Sequence, residues 1–345
     1  MECALHSAYL ECMETKLARS IGSQARVLRE LAASSFAAQA SALADAQRLI
    51  VIGTGSSLNA ARLGAWHLRR HGIDAIAMSS AHLARWEPAA RPGDALVVIS
   101  HTGQTAYSMR ARLDALHAGT PVVSITGADA GWPEAIIAGP AETSETYTVS
   151  YLASLAVIAR LADGIEAVRA NASVRPASLT LLDAADRVEA AIATPNVAHI
   201  NVPRRATALV GAGPWSITAA EGALKLREAA RVLAEAYDAE TLLHGSAVPL
   251  TDADTLIALQ PGADPDGLID GLAAAAHAEG VHVVTVEDEH PLADPFYAQF
   301  PLTVRLQQLA AHFAQRRGQN PDDVIVGCWH VDSLWNAGKP ARATL

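Results

Sequence analysis

Cysteine is scarce in this sequence. Cys3, Cys12 and Cys328 are odd in number and lack metal-ligand spacing, which argues against a disulfide framework and against a zinc site, so they read as reduced thiols. Long apolar runs are missing too. None approaches the roughly 20 residues that cross a bilayer, and the opening stretch MECALHSAYLECMETK mixes charge with apolar residues and has no uninterrupted apolar core. Neither a membrane span nor a secretory leader is expected, and the cytoplasm is the expected compartment. Positive charge is also short: 26 Lys and Arg face 36 Asp and Glu, a net charge of −10. A nucleic-acid partner is therefore not expected, because such proteins carry a basic stripe that neutralises phosphates. A small anion is compatible with that balance, since backbone N–H groups at a helix start can hold one locally.

What is present is apolar bulk. Half of the 345 residues are hydrophobic and 18% are charged, enough for a large core and a length suited to two domains or one duplicated unit. Residues 1–45 read as a helical lead-in, with KLARSIGSQARVLRELAAS at helical spacing. From 46 to 172 the pattern cycles through strand, loop and helix: RLIVIG, TGSSLN, ARLGAWHLRRHG, then ALVVIS, SHTGQT, AYSMRARLDALHAG and the strand PVVSIT. Residues 173–204 read as a linker with its own helix, LTLLDAADRVEAAIA. The same grammar restarts over 205–315: TALVGAG strand, PWSIT loop, EGALKLREAARVLAEAY helix, TLIALQP strand, PDGLIDGLAAAAHAEG helix, VHVVTVE strand. Residues 316–345 read as an extended tail whose two tryptophans pack over other structure. Strands alternating with helices predict an α/β fold of two doubly wound, parallel, flavodoxin-like sheets in tandem.

In such sheets ligands bind beyond the carboxyl ends of the strands, where loops feed helix N-termini. Two loops offer hydroxyls there: Thr54, Gly55, Ser56 and Ser57 after RLIVIG, and Ser100, Thr102, Gly103 and Thr105 after ALVVIS. Ordinary capping and turn chemistry uses the same residues; it is the pair of loops at adjacent strand ends that points to a phosphate. Neither loop has dinucleotide-fingerprint or Walker A spacing, which argues against NAD and ATP, and no cofactor or metal is expected.

In the second half, Glu221, Lys225 and Glu228 fall on one helix face at spacings of four and three, with Thr218 and Glu221 in a capping-box pattern. The same pattern also decorates solvated helices. Its place just after a strand favours a proton-transfer site.

ISHTGQTAYS and EGALKLREAARVLAEAYDAETLLHG together resemble the sugar isomerase (SIS) domain family, in particular the double-SIS isomerase domain of the glucosamine-6-phosphate synthases and their stand-alone relatives, over roughly residues 45–310. The resemblance implies two SIS subdomains and phosphate contacts at Ser57, Ser100, His101, Thr102 and Thr105, with Ser56 beside Ser57 in the same loop. His101 stands where the synthase pattern has an amide, and Gln104 where it has a carboxylate. It implies Glu228 as the residue moving a proton between C1 and C2 of the open-chain sugar, Lys225 beside it, and His244 as the ring-opening histidine. It further implies a homodimer with composite active sites. The tail HVDSLWNAGK reproduces a V-D-x-x-x-N-x-x-K spacing and makes Lys339 the counterpart of a Schiff-base lysine. Glu142–Ser150, in the loop after the third strand of that reading, departs from the family pattern and is where substrate identity is expected to reside.

The expected function is therefore a phosphosugar isomerase acting on a hexose phosphate or amino-hexose phosphate. Amino-sugar-phosphate deamination and fructosamine-phosphate deglycation are the alternatives. With no glutaminase domain ahead of the SIS halves to supply ammonia, amino-sugar synthesis is disfavoured. The alternative of a different class is a non-catalytic sugar-phosphate-binding regulator; a promoter-binding one would carry a basic helix-turn-helix, which the acidic balance disfavours.

Overall fold

The computed structural model describes residues 15–88, 90–173, 178–260, 264, 266–288 and 290–340; Cys3 and Cys12 lie outside them, and Cys328 is a free, exposed thiol. Five parallel strands form the first sheet: β1 (Arg48–Gly53), β2 (Ala75–Ser79), β3 (Asp94–Ile99), β4 (Val122–Gly127) and β5 (Ala135–Gly139), in the order β2-β1-β3-β4-β5. β3 is buried throughout and β1 is buried beyond Arg48, as expected of apolar strands covered on both faces. The second sheet has β6 (Ala206–Gly211), β7 (Leu233–Asp238), β8 (Thr255–Gln260) and β9 (His282–Glu287), all parallel, in the order β7-β6-β8-β9. The fold is α/β with two doubly wound parallel sheets, as the alternation of elements implied.

The chain divides into two compact units. The first holds Arg26–Glu142, Val149–Leu182 and the tail from Ile325; the second holds the described residues up to Ala25, then Thr143–Thr148 and Asp183–Val324. The helices are α1 (Lys16–Ala32), α2 (Ala37–Ala44), α3 (Ser56–Arg70), α4 (Ser80–Trp86), α5 (Ala106–His117), α6 (Val149–Arg169), α7 (Leu179–Ala193), α8 (Trp215–Ala230), α9 (Leu268–Ala278) and α10 (Gln299–Arg316). In the first unit α6, buried along most of its length, packs on α2 and α3. In the second, α10 packs on α8, while Val210, Leu242, Leu256 and Ile269 gather in a core between the sheet and α9. None of the described helices is long and apolar enough to cross a membrane.

Two devices recur in both sheets. The first central strand ends in Gly-x-Gly, with the second glycine at φ 60° (Gly55) or 55° (Gly213). A Cβ on Gly53 would lie 2.3 Å from the Ser57 backbone, and one on Gly211 would lie 2.5 Å from the Trp215 backbone. Only glycine lets the following helix begin so close to the strand. At the opposite strand ends, Arg48 forks onto Asp94 at 3.0 and 2.7 Å, and Asp94 also accepts from Arg91 N–H at 2.8 Å. Arg205 likewise forks onto Asp254, which accepts from Thr251 N–H at 2.8 Å.

Five local expectations are corrected. Trp215–Thr218 is helix, not loop, because Pro214 opens α8 and a proline is accommodated at a helix start. Thr218 is thus not a cap; it is buried and donates its hydroxyl to Gln299 Oε1. The helix read through Tyr237 ends at Ala230, where Arg231 turns left-handed (φ 51°), and LAEAYD becomes β7, paired along its length with β6. The tail folds into short helical turns that leave Trp329 and Trp335 75% and 55% exposed rather than packed. Glu142–Ser150 follows the fifth strand rather than the third, because AIAMS and AIIAG also form strands.

Candidate functional site

In the first sheet the strand order reverses between β1 and β3, and a parallel sheet opens a crevice at such a point. Both hydroxyl-bearing loops are there. Ser56 and Ser57 form the first turn of the 15-residue α3, while Ser100 to Thr105 link β3 to α5. Capping does not account for the second loop. Thr105 stands at the N-cap of α5 without a side-chain cap bond, and the buried Ser100 Oγ has no hydrogen-bond partner. Thr102 Oγ1 accepts from Gln104 N–H at 3.2 Å, and Gly103 N–H closes the turn on Ser100 O.

His101 is directed elsewhere. Its ring lies over the end of β4, where a Cβ on Gly127 would be 2.4 Å from Cε1, and Nε2 accepts from Glu142 N–H at 3.1 Å. That bond leaves the ring proton on Nδ1. Burial lowers the His101 pKa, against the opposing pull of Glu142 and Asp129, so the ring is neutral at neutral pH. The Glu142 carboxylate in turn accepts from Val149 and Ser150 N–H at 3.1 and 2.8 Å, at the start of α6. Sequence reasoning missed Glu142 as an anchor of this loop; a glycine ending β4 was the available signal.

The second sheet reverses at β6/β8, and α8 leaves from β6. Lys225 is fully buried with Nζ 2.5 Å from Glu228 Oε2 and 3.5 Å from Glu221 Oε1, while Glu221 is 1% exposed. The bland reading of a solvated i,i+4 pair therefore fails. Burial raises the Glu228 pKa; Lys225 pulls against that rise and Glu221 adds to it. Glu228 keeps 21% of its side chain accessible, so this carboxyl is both perturbed and reachable, the combination a proton-transfer base needs.

His244 is on a π-helical turn, Leu242–Ser246, kinked at His244 and Gly245 (φ 102°), with its side chain 74% exposed and 3.9 Å from Glu240. Irregular turns of this kind are frequent at functional positions. Lys339 is exposed in the first unit. Its neighbour Gly338 abuts Tyr107 so closely that a Cβ would lie 2.4 Å from the ring, which ties the tail to the first turn of α5, next to Thr105. The structure thus groups Glu221, Lys225 and Glu228 in the second unit and the hydroxyl loops with the Lys339 segment in the first. Among the described residues there is no cluster of three or more His, Cys, Asp or Glu suited to a metal.

Residues 42–163 match the model of the SIS domain. That range holds the first sheet and both hydroxyl loops. Over 310 residues the chain is 26% identical to a glutamine–fructose-6-phosphate aminotransferase (isomerizing) of Zymomonas mobilis, covering 81% of this chain and 51% of the relative; the chain spans about half the length of the curated relatives it matches. Among solved structures, a tagatose-6-phosphate ketose/aldose isomerase of Escherichia coli superposes with a TM-score of 0.72 at 20% identity over 92% of this chain and 98% of that one. A glucosamine-6-phosphate deaminase of Thermotoga maritima gives 0.73 at 18% identity over 89% and 97%. At those identities the likeness is one of fold.

Proposed function

We propose that the protein is a phosphosugar isomerase, moving a proton between C1 and C2 of a hexose phosphate or amino-hexose phosphate. The observation that carries this reading is the buried Glu221–Lys225–Glu228 group, whose outermost carboxyl has a raised pKa and stays accessible. Glu228 is the base, Lys225 stabilises negative charge developing on the enediol oxygens, and His244 passes the ring-oxygen proton. Ser56, Ser57, Ser100, Thr102 and Thr105 hold the phosphate with helix N-termini behind them. His101 acts in the same loop.

A homodimer whose partner copy completes each active site is part of this reading. It is supported by the exposure of His244 together with Leu243 and Val248, at 59% and 84%. Lys339 gives weight to a second reading, deamination or deglycation through a Schiff base. The sequence holds only three lysines, Lys16, Lys225 and Lys339, so an exposed lysine beside the phosphate-loop helix is not routine surface decoration.

The test is Glu228→Gln. Calorimetry is expected to find hexose 6-phosphate bound as in the unaltered protein, while turnover falls by about 10²–10⁴-fold, the usual worth of a general base. Turnover that survives the substitution excludes Glu228 as the base. Parallel incubation with fructose 6-phosphate, glucosamine 6-phosphate and a fructosamine 6-phosphate separates the reactions: release of ammonia or an amine, abolished by Lys339→Met, selects the second reading.

A further inference from the structure

The second unit contains a cavity of about 430 Å³ whose polar lining is Arg187, Thr194, Asn196, Asp288, His290 and Arg305. None of these is a residue assigned above. The cavity lies past the carboxyl end of the edge strand β9, bounded by the end of α7 and the first turns of α10, and its volume is in the range that holds small ligands. Among the described lining residues two guanidinium groups face one carboxylate, a local positive excess in a chain of net charge −10.

The arginines are held in place rather than splayed into solvent. Arg187 Nη2 pairs with Oδ1 of the buried Asp288, an oxygen that also accepts from His290 N–H at 3.2 Å. Arg305 Nη1 donates to Thr194 O at 3.3 Å, and Gln308 Nε2 donates to Ala191 O at 3.0 Å. Donors thus cover Ala191 O near the end of α7 and Thr194 O just beyond it, carbonyls that would otherwise repel an anion. Three lining residues nonetheless each keep a buried polar atom without a partner: Arg187 Nε, Arg305 Nε and Asp288 Oδ2. Orphaned buried groups are uncommon in folded proteins. All three are closed off from solvent, so an occupant meets the parts of the guanidinium groups that stay open: the Arg187 side chain keeps 28% of its surface accessible, against 2% for Asp288.

The geometry points to a second binding site here, for a small anion bearing hydroxyl groups: a phosphorylated or carboxylated polyol. Its anionic oxygens face Arg187 and Arg305, and its hydroxyls meet the exposed Thr194 and Asn196 at the rim. The site is separate from the proposed reaction centre and stands whether or not that reading holds.

The experiment is calorimetric titration of the full chain with glucose 6-phosphate, gluconate, inorganic phosphate and, as the uncharged control, glucose. Three variants accompany the unaltered protein: Arg305→Met; Ala190→Phe, which fills the rim from an exposed position on α7 and leaves both arginines intact; and the loop variant Ser100→Ala/Thr105→Val. At least one anionic probe is expected to bind the loop variant and to lose about tenfold or more in affinity when either cavity substitution is added to that variant, with glucose silent. Response to the phosphate ester alone or to gluconate alone says which kind of anion the site takes. The inference is overturned if no anionic probe binds the loop variant, or if neither cavity variant, folded by circular dichroism, weakens any of them. Loss of all binding in the loop variant leaves the reaction-centre reading standing while ending this one.

Discussion

Lys225 sits in a dry helix face with carboxylates one turn before and one turn after it, so its charge offsets part of the cost of burying Glu221. Replacing it by methionine keeps the volume and removes the charge. Breaking a buried ion pair from one side costs about 3–5 kcal/mol, and urea denaturation of Lys225→Met is expected to register a loss of that order. Glu228 should then be harder still to ionise, because the ammonium that opposes the burial effect is gone. At the same scale, Gly127→Ala brings a methyl to 2.4 Å from His101 Cε1 and must displace the ring from Glu142 N–H. Affinity for a hexose phosphate is expected to fall while the thermal midpoint moves little, the ring lying at a loop and not in the core; unchanged affinity would separate His101 from ligand binding. From the sequence, spacing singled out Glu221, Lys225 and Glu228 as a candidate group, and the family resemblance added His244. It could not reveal that Lys225 is fully buried, since a Glu–Lys pair three or four apart has the same spelling on a wet face and a dry one.

Strands and helices were largely legible because their periods differ: RLIVIG, ALVVIS, PVVSIT and VHVVTVE are strands, and AYSMRARLDALHAG and LTLLDAADRVEAAIA are helices where apolar spacing placed them. LAEAYD was illegible for a physical reason. Alanine and glutamate favour helix, and only pairing with β6 makes the segment a strand, a tertiary override of local propensity. The repeated Arg–Asp forks at the strand starts have a pH consequence that belongs to this scale. Hydrogen bonding from Arg205 above all, with help from Thr251, holds the Asp254 pKa down to about 2 from an ordinary 3.8. A carboxyl lowered on folding stabilises the fold above its unfolded pKa, and that contribution is lost as pH falls from about 4 through 2. Guanidinium denaturation at pH 5 and pH 3 should find a drop in the unaltered protein that is smaller in Asp254→Asn; an equal drop in both would assign the acid sensitivity to other carboxylates. At the strand ends, Gly211→Ala sets a methyl 2.5 Å from the backbone of α8, where nothing can rotate away, so its cost should reach or exceed the about 1–3 kcal/mol of ordinary overpacking.

At the scale of the whole molecule, the same strand order 2-1-3-4 occurs twice, with the same Gly-x-Gly exit and the same Arg–Asp fork, yet the two units carry different chemistry: hydroxyls in one, a buried carboxylate and ammonium in the other. One architecture used twice can present different side chains at equivalent strand ends, because the fold fixes the positions and not the chemistry they carry. The proposed dimer extends the logic to a second chain, and it can be tested without any structure of the complex. Glu228→Gln and His244→Ala are each expected to be inactive alone. In a closed two-fold dimer in which each site takes Glu228 from one chain and His244 from the other, a mixed dimer has one site with both residues intact and one with neither. Random re-association of equal amounts makes half of the dimers mixed, so activity should return to about one quarter of the unaltered value. If His244 serves the Glu228 of its own chain, every site in every dimer lacks one residue and mixing restores nothing. Capture through an affinity tag carried by one variant alone, run beside the assay, reports how much of the untagged variant has paired with it, so that an absence of recovery reflects the location of the histidine and not a failure to exchange chains.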